Sequence, residues 1–200
     1  MAERIMIILK FVFAVLLLPL VMATVFALQT EIARFDPKLQ EAIISGTLAY
    51  VLMKFFVYDF DAVYKFGQSI VGACFQFLKP VMNFAPYVIP IYTIIAIVAY
   101  AIVHLMGNME AYAGMFVAVI AFTFAMHVVL TAQDLYTKDS LAGKPNYFFA
   151  MSLIFIVDVF FMALLMSLVG KGFSFVHFFQ GLSTASGDIY MAVFKQLFVR

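Results

Sequence analysis

The chain reads as an all-α integral membrane protein of about six membrane helices, one of them short or re-entrant, followed by a C-terminal amphipathic helix. Three observations predict this class. Of 200 residues, 66% are hydrophobic and only 12% charged, and the mean hydropathy is +1.07, far from the balance of soluble domains. Several stretches meet or approach the roughly 20 apolar residues that cross a bilayer core. Trp is absent while Phe numbers 25 and Met 13, which suits lipid-facing and helix-packing surfaces and leaves Tyr to supply the interfacial belt. A net charge of +1 offers no attraction for nucleic acid. The expected partners are the lipid bilayer and other membrane or envelope subunits, with no cofactor and no metal, and the bacterial inner membrane is the default setting.

The elements run in order within one polytopic domain over 1–200. Residues 5–28 form the first span, inside a first helical segment over 1–30. Its charged start and apolar run are those of a signal peptide, but the run is too long and Ala23-Thr24-Val25 is a poor cleavage site, so it reads as a retained helix. Pro19 is expected to kink it, and Lys10 lies close enough to an end to snorkel. In the polar connector that comes next, Asp36-Pro37 marks a turn and a helix start. The second span, 41–58, contains Lys54 and is expected to pack against protein. Asp59 and Asp61 then suit the cap of a third helix over 62–79, with a paired-carboxylate site as the alternative. The apolar centre of that helix is shorter than a full span, as in an interfacial or re-entrant segment. Gly67, Gly72 and Ala73 would let a neighbouring helix approach it closely.

Pro80, Pro86 and Pro90 punctuate the turn into a span over 87–106, which Gly107-Asn108 ends. Another span covers 112–132. The loop 133–147 is the most polar of the chain, and its Asp134, Lys138, Asp139 and Lys144 form a docking surface for a soluble partner. The last clear span, 147–169, carries Asp158. The tail 173–200 has aromatic residues on a roughly helical period with Asp188 and Lys195 on another side, as in an amphipathic helix lying on the membrane or on a partner. With the spans counted this way, Arg4, Lys65, Lys171, Lys195 and Arg200 face Arg34, Lys38, Lys79, Lys138 and Lys144 across the membrane. The positive-inside rule then sets no orientation.

Few polar side chains stand out. Asp158 lies mid-span, where a carboxylate must face protein or water; it is a proton-relay group, half of a docking pair with Lys54 or His127, or a protonated acid bonded to a neighbouring helix. The histidines His104, His127 and His177 fall on different helices without ligand-like spacing. His127 reads as a buried polar residue and the other two as interfacial. Cys74 is alone, so no intramolecular disulfide forms, and it reads as a small buried hydrophobe.

Three stretches carry a further signal: VYKFGQSIVGAC over 63–74, NFAPYVIPIYT over 83–93 and FAMHVVLT over 124–131, with Asn146-Tyr147-Phe148-Phe149 entering the last span. Together, from about 58 to 188, the chain resembles the site-2-protease-like family of intramembrane zinc metallopeptidases, with a protease-like core over 58–170. The resemblance implies a helix carrying His-Glu-x-x-His-Ala, two zinc ligands and a general base. In its register stand Gln68-Ser69-Ile70-Val71-Gly72-Ala73. Gln68, Ser69 and Gly72 replace ligand, base and ligand, and none can activate a zinc-bound water. The β-rich insertion that the resemblance implies after this helix, which would hold a peptide by strand addition, is missing too. A serine nucleophile at Ser69 has no base at a predictable spacing. The chain is therefore expected to be no enzyme but a scaffold or integral subunit of a larger envelope complex. The alternative is a small transporter or channel component using Asp158 with His127 and Lys54.

Overall fold

The computed structural model describes residues 2–77, 84–105, 112–138, 145–169 and 172–198. Every regular element in those residues is a helix: α1 Ala2–Ile32, α2 Pro37–Phe56, α3 Asp61–Cys74, α4 Ala85–Val88, α5 Ile91–Leu105, α6 Ala113–Lys138, α7 Pro145–Val169 and α8 Phe175–Phe198. Four are long and apolar enough to cross a membrane: Ile5–Ile32, Pro37–Phe56, Ala113–Thr137 and Tyr147–Ser167.

Several boundaries move for local reasons. α1 continues through Pro19 and on to Ile32, so the supposed connector contributes a helical Glu31. α2 starts at Pro37 because proline suits the first helical position and the Asp36 carboxylate accepts the Lys38 N–H at 2.9 Å. The expected span over 87–106 is broken. Pro90 has no N–H to continue the short α4, and α5 begins at Ile91 with 15 residues, about 22 Å at 1.5 Å per residue. α6 runs on to Lys138, so Gln133, Asp134 and Lys138 are helical rather than part of a loop. Asp139 and Lys144 lie outside the described residues.

Contacts divide the chain into a terminal unit, Met1–Arg34 with Leu135–Arg200, and a central unit, Phe35–Asp134. In the central unit α2 and α6 run parallel. A Cβ built on Gly46 would collide with the Ala118 carbonyl, and one turn further along both helices the Tyr50 and Phe122 rings meet edge to face at 5.5 Å. α5 runs against α6: Tyr92 borders a cavity with Met126 and His127, while Tyr100 lies against Phe116 at 5.9 Å. The end of α2 and the start of α5 therefore lie at the same end of the unit. α3 and α4 fill that end without traversing the unit's length. Tyr50, Phe60, Tyr64, Met126 and Leu130 form the buried cluster beneath them.

In the terminal unit α8 lies antiparallel along α1. The Ser174 N–H donates to Glu31 Oε2 at 3.2 Å, a Cβ on Gly181 would sit 3.9 Å from Ala27 Cβ, and the Tyr190 hydroxyl donates to the Leu16 carbonyl at 2.6 Å. The tail expected on a membrane surface or partner is thus folded back against the first helix. Ser174 starts α8 by accepting the His177 N–H at 3.3 Å. Gly172, at φ 113°, takes the left-handed turn that a side chain would strain. Phe178 is fully buried, 5.5 Å from Phe160 of α7.

Candidate functional site

The polar side chains of the central unit gather where α3 meets α6. Tyr64 and Gln68 lie one turn apart and so share a face of α3. The Tyr64 hydroxyl is 2.8 Å from Thr131 Oγ1 and accepts a hydrogen bond from Gln68 Nε2, also at 2.8 Å. Thr131 is fully buried. One turn earlier on α6, His127 is 5% exposed, with Nε2 3.0 Å from the Tyr87 carbonyl. A carbonyl only accepts, so that nitrogen carries the proton. The His127 and Tyr64 rings stand 6.1 Å apart. Tyr64, Gln68, Tyr92, Met126 and His127 border a cavity of about 10 Å³, room for about one water molecule.

The positions that the resemblance assigns to catalysis do not converge there. Gln68 is turned inward and its amide is used by Tyr64. Ser69 is exposed and donates to the Phe66 carbonyl at 2.7 Å. Gly72 meets no atom within 4 Å of an added Cβ, and Ala73 is exposed. Of the expected packing face, only Gly67 packs within the chain: a Cβ there would stand 2.7 Å from Tyr92 Cε2 and 2.9 Å from Ile91 Cγ2. Tyr92 lies across it and donates to the Val63 carbonyl at 2.6 Å. Gly46, which makes the tighter crossing, carried no flag in the sequence. Cys74 ends α3 exposed rather than buried. Among the described residues no three His, Cys, Asp or Glu side chains are placed to share a metal ion.

The two carboxylates at the start of α3, Asp59 just before it and Asp61 its first residue, do little capping. Phe60 is the N-cap residue and makes no side-chain capping bond. Asp59 accepts the Asp61 N–H at 3.3 Å, and both carboxylates turn to Lys54, at 2.7 and 3.1 Å from Nζ. Sequence reasoning overlooked this pull: a cation in the last turn of α2 and two acids five and seven residues on. The Lys54 hydrogen bond, followed by that of the Asp61 N–H, holds the Asp59 carboxyl below its ordinary range. Lys54 and His127 lie in the central unit, and Asp158 lies in the terminal unit, fully buried in α7.

The terminal unit has its own charged clasp. Glu31, 1% exposed, accepts the Ser174 N–H and pairs with Arg34 at 3.0 Å. Arg34 also donates to His177 Nδ1 at 2.7 Å. These bonds join the C-terminal end of α1 to the first turn of α8. The other face of α8 carries Gln180, Ser183, Thr184, Gly187 and Asp188, all exposed. Sequence reasoning saw the polarity of Asp188 and expected the helix to lie on the membrane or on a partner. Compared with protein-family models, curated proteins and solved structures, the chain matches none.

Proposed function

We propose that the chain is a non-catalytic integral membrane subunit, a scaffold within a larger envelope assembly. The supporting observation is the outward face of α8. α8 follows α1, the most apolar of the four long helices, from Ser174 at its end to Tyr190 near its middle. A helix bonded along a span shares its depth. Stepping seven residues from the Gly181–Ala27 contact pairs Asp188 with Leu20, and stepping two from Tyr190–Leu16 pairs it with Leu18. Both fall near the middle of the apolar run 5–28. A carboxylate at that depth costs about 2.5–3.5 kcal/mol against lipid, so a face that displays it calls for protein on the other side.

The same packing supports a particular path through the membrane. α1, α2, α5, α6, α7 and α8 make six crossings, and α3 with α4 remains on the face where α2 ends.

The lack of catalysis rests on side-chain chemistry. At the positions where the resemblance implies two zinc ligands and a base, Gln68, Ser69 and Gly72 supply neither metal affinity nor basicity. Stoichiometric zinc in the purified protein would overturn this part of the reading. The subunit reading is tested by extracting the tagged chain from its native membrane in mild detergent and identifying what co-elutes at fixed ratio. We expect a stable partner, diminished by Thr184→Leu with Gly187→Leu. Elution of the chain alone would remove the reading.

A second reading, a transporter or channel component, is favoured by Asp158, a fully buried carboxylate in the middle of α7. Asp158→Asn should then abolish pH-dependent flux in proteoliposomes, and unchanged flux would dismiss it.

A further inference from the structure

The outward face of α8 is specific enough to describe its occupant, an identification that rests on the subunit reading. Positions 180, 184, 187, 188 and 191 fall on one side of a 3.6-residue helix, and all five are exposed. Thr184 settles its own need by donating to the Gln180 carbonyl at 3.1 Å, the usual way a hydroxyl is satisfied within a helix. An ionised carboxylate has no proton to give back to a carbonyl, and the backbone N–H groups around Asp188 are used by the helix itself. Beside it, a Cβ on Gly187 would meet nothing within 4 Å, so another backbone can come close. The face therefore combines an opening with one fixed negative charge at mid-depth. One helical repeat of seven residues further on, the exposed Lys195 lies on the same side, nearer the N-terminal face.

A second copy of this chain fits poorly. Copies inserted the same way would pair α8 in parallel and set Asp188 against Asp188 and Lys195 against Lys195, like charges facing each other. An antiparallel pair centred on Thr184 would match Asp188 with Gln180 on both sides, since each lies four residues from the centre. It needs copies inserted in opposite directions, whereas one sequence carries one set of orientation signals and inserts one way round.

We propose that this face of α8 docks a transmembrane helix of a different protein that carries a lysine or arginine at the depth of Asp188, small residues opposite Gly187 and an acid toward Lys195. The buried cation and Asp188 neutralise each other at a depth where neither is stable alone. Opposite charges spaced by seven residues also fix the register of the incoming helix.

The test is Thr184→p-benzoylphenylalanine, photolysed in native membranes so that the benzophenone inserts into a C–H bond of whatever helix lies against it, with adducts identified by mass spectrometry. The expected product is a single hetero-adduct whose partner has a Lys or Arg within a membrane helix. Asp188→Asn should reduce it at least tenfold while the chain's elution volume in detergent stays the same. Asp188→Lys should abolish it, and changing the partner's cation to Asp should restore it. A hetero-adduct with a helix lacking any cation, or one indifferent to Asp188→Asn, overturns the charge-pair proposal but leaves the subunit reading standing. An adduct of twice the chain mass overturns it in favour of self-association. No adduct, with the chain eluting alone, sinks both.

Discussion

The close crossing of α2 and α6 gives the sharpest stability test, because two glycines of the same unit should respond with opposite sign. At Gly46 an added Cβ would stand 2.8 Å from the Ala118 carbonyl carbon and 2.9 Å from its Cα, with the oxygen closer still. Non-bonded carbons rest at about 3.5–4.0 Å, so the backbones must part by close to 1 Å. The obstacle is backbone, which has no rotamer to escape into. Overpacking of this kind costs about 1–3 kcal/mol, and an immovable neighbour puts Gly46→Ala at the upper end. The alanine returns about 1 kcal/mol of helix propensity. The net loss is about 2 kcal/mol, which in a chain of this size lowers Tm by about 4–8 °C. Gly72→Ala meets nothing within 4 Å, so only the propensity gain remains, about 0.5–1 kcal/mol. The assay is the loss of the monodisperse peak on size exclusion after heating the tagged protein in mild detergent. If Gly46→Ala melts at or above the wild-type temperature, the parallel crossing of α2 and α6 is wrong, and the path that places α3 on one face is wrong with it.

Three other outcomes depend on single contacts. Tyr64→Phe removes the partner of both Gln68 and the fully buried Thr131 hydroxyl; leaving a buried hydroxyl unpaired costs about 1–3 kcal/mol, and an unchanged melting temperature would show the network to be idle. Glu31→Gln takes the charge from a carboxylate that holds Arg34 and the Ser174 N–H. Bonds to a charged group are worth about 1.5–3 kcal/mol, so the start of α8 should loosen first, read as faster hydrogen exchange at 174–182 than at 60–70. The Asp59 carboxyl, held low by Lys54, stays ionised as pH falls through its ordinary value of about 3.9. A lowered folded value means that its contribution is present at neutral pH and lost only as pH drops through that lowered value. Lys54→Met should therefore bring the Asp59 carboxyl ¹³C titration back up toward the ordinary range, and no movement would refute the pairing.

What was legible in the sequence was local. Asp36-Pro37 announced α2 because capping and the first-turn proline need only adjacent residues, and the apolar run before Val169 announced α7 because length and hydropathy suffice. Gly67 could be read as a point of close approach. Gly46 could not, since its importance comes from an Ala118 carbonyl more than seventy residues away. The same holds for the site: Gln68 was visible as a poor ligand, but its use by Tyr64, and Tyr64's use of Thr131, depend on how α3 meets α6.

The proposed path departs from the hydropathy reading in which helices cross. The sequence counted the 62–79 segment, as a short or re-entrant one, among the membrane helices and laid the tail on the membrane or a partner, because α3 is apolar at its centre while α8 carries Asp188 and Gln180. Hydropathy judges each helix alone, whereas α8 is held along α1 by Glu31, Ala27 and Leu16 of its neighbour, and α3 is confined to one end by the parallel run of α2 and α6. A polar helix laid along an apolar one and an apolar helix kept to one end have the same cause: each is stabilised by what it touches. On the proposed subunit reading, the polar face of α8 is the feature of this chain that most calls for another protein.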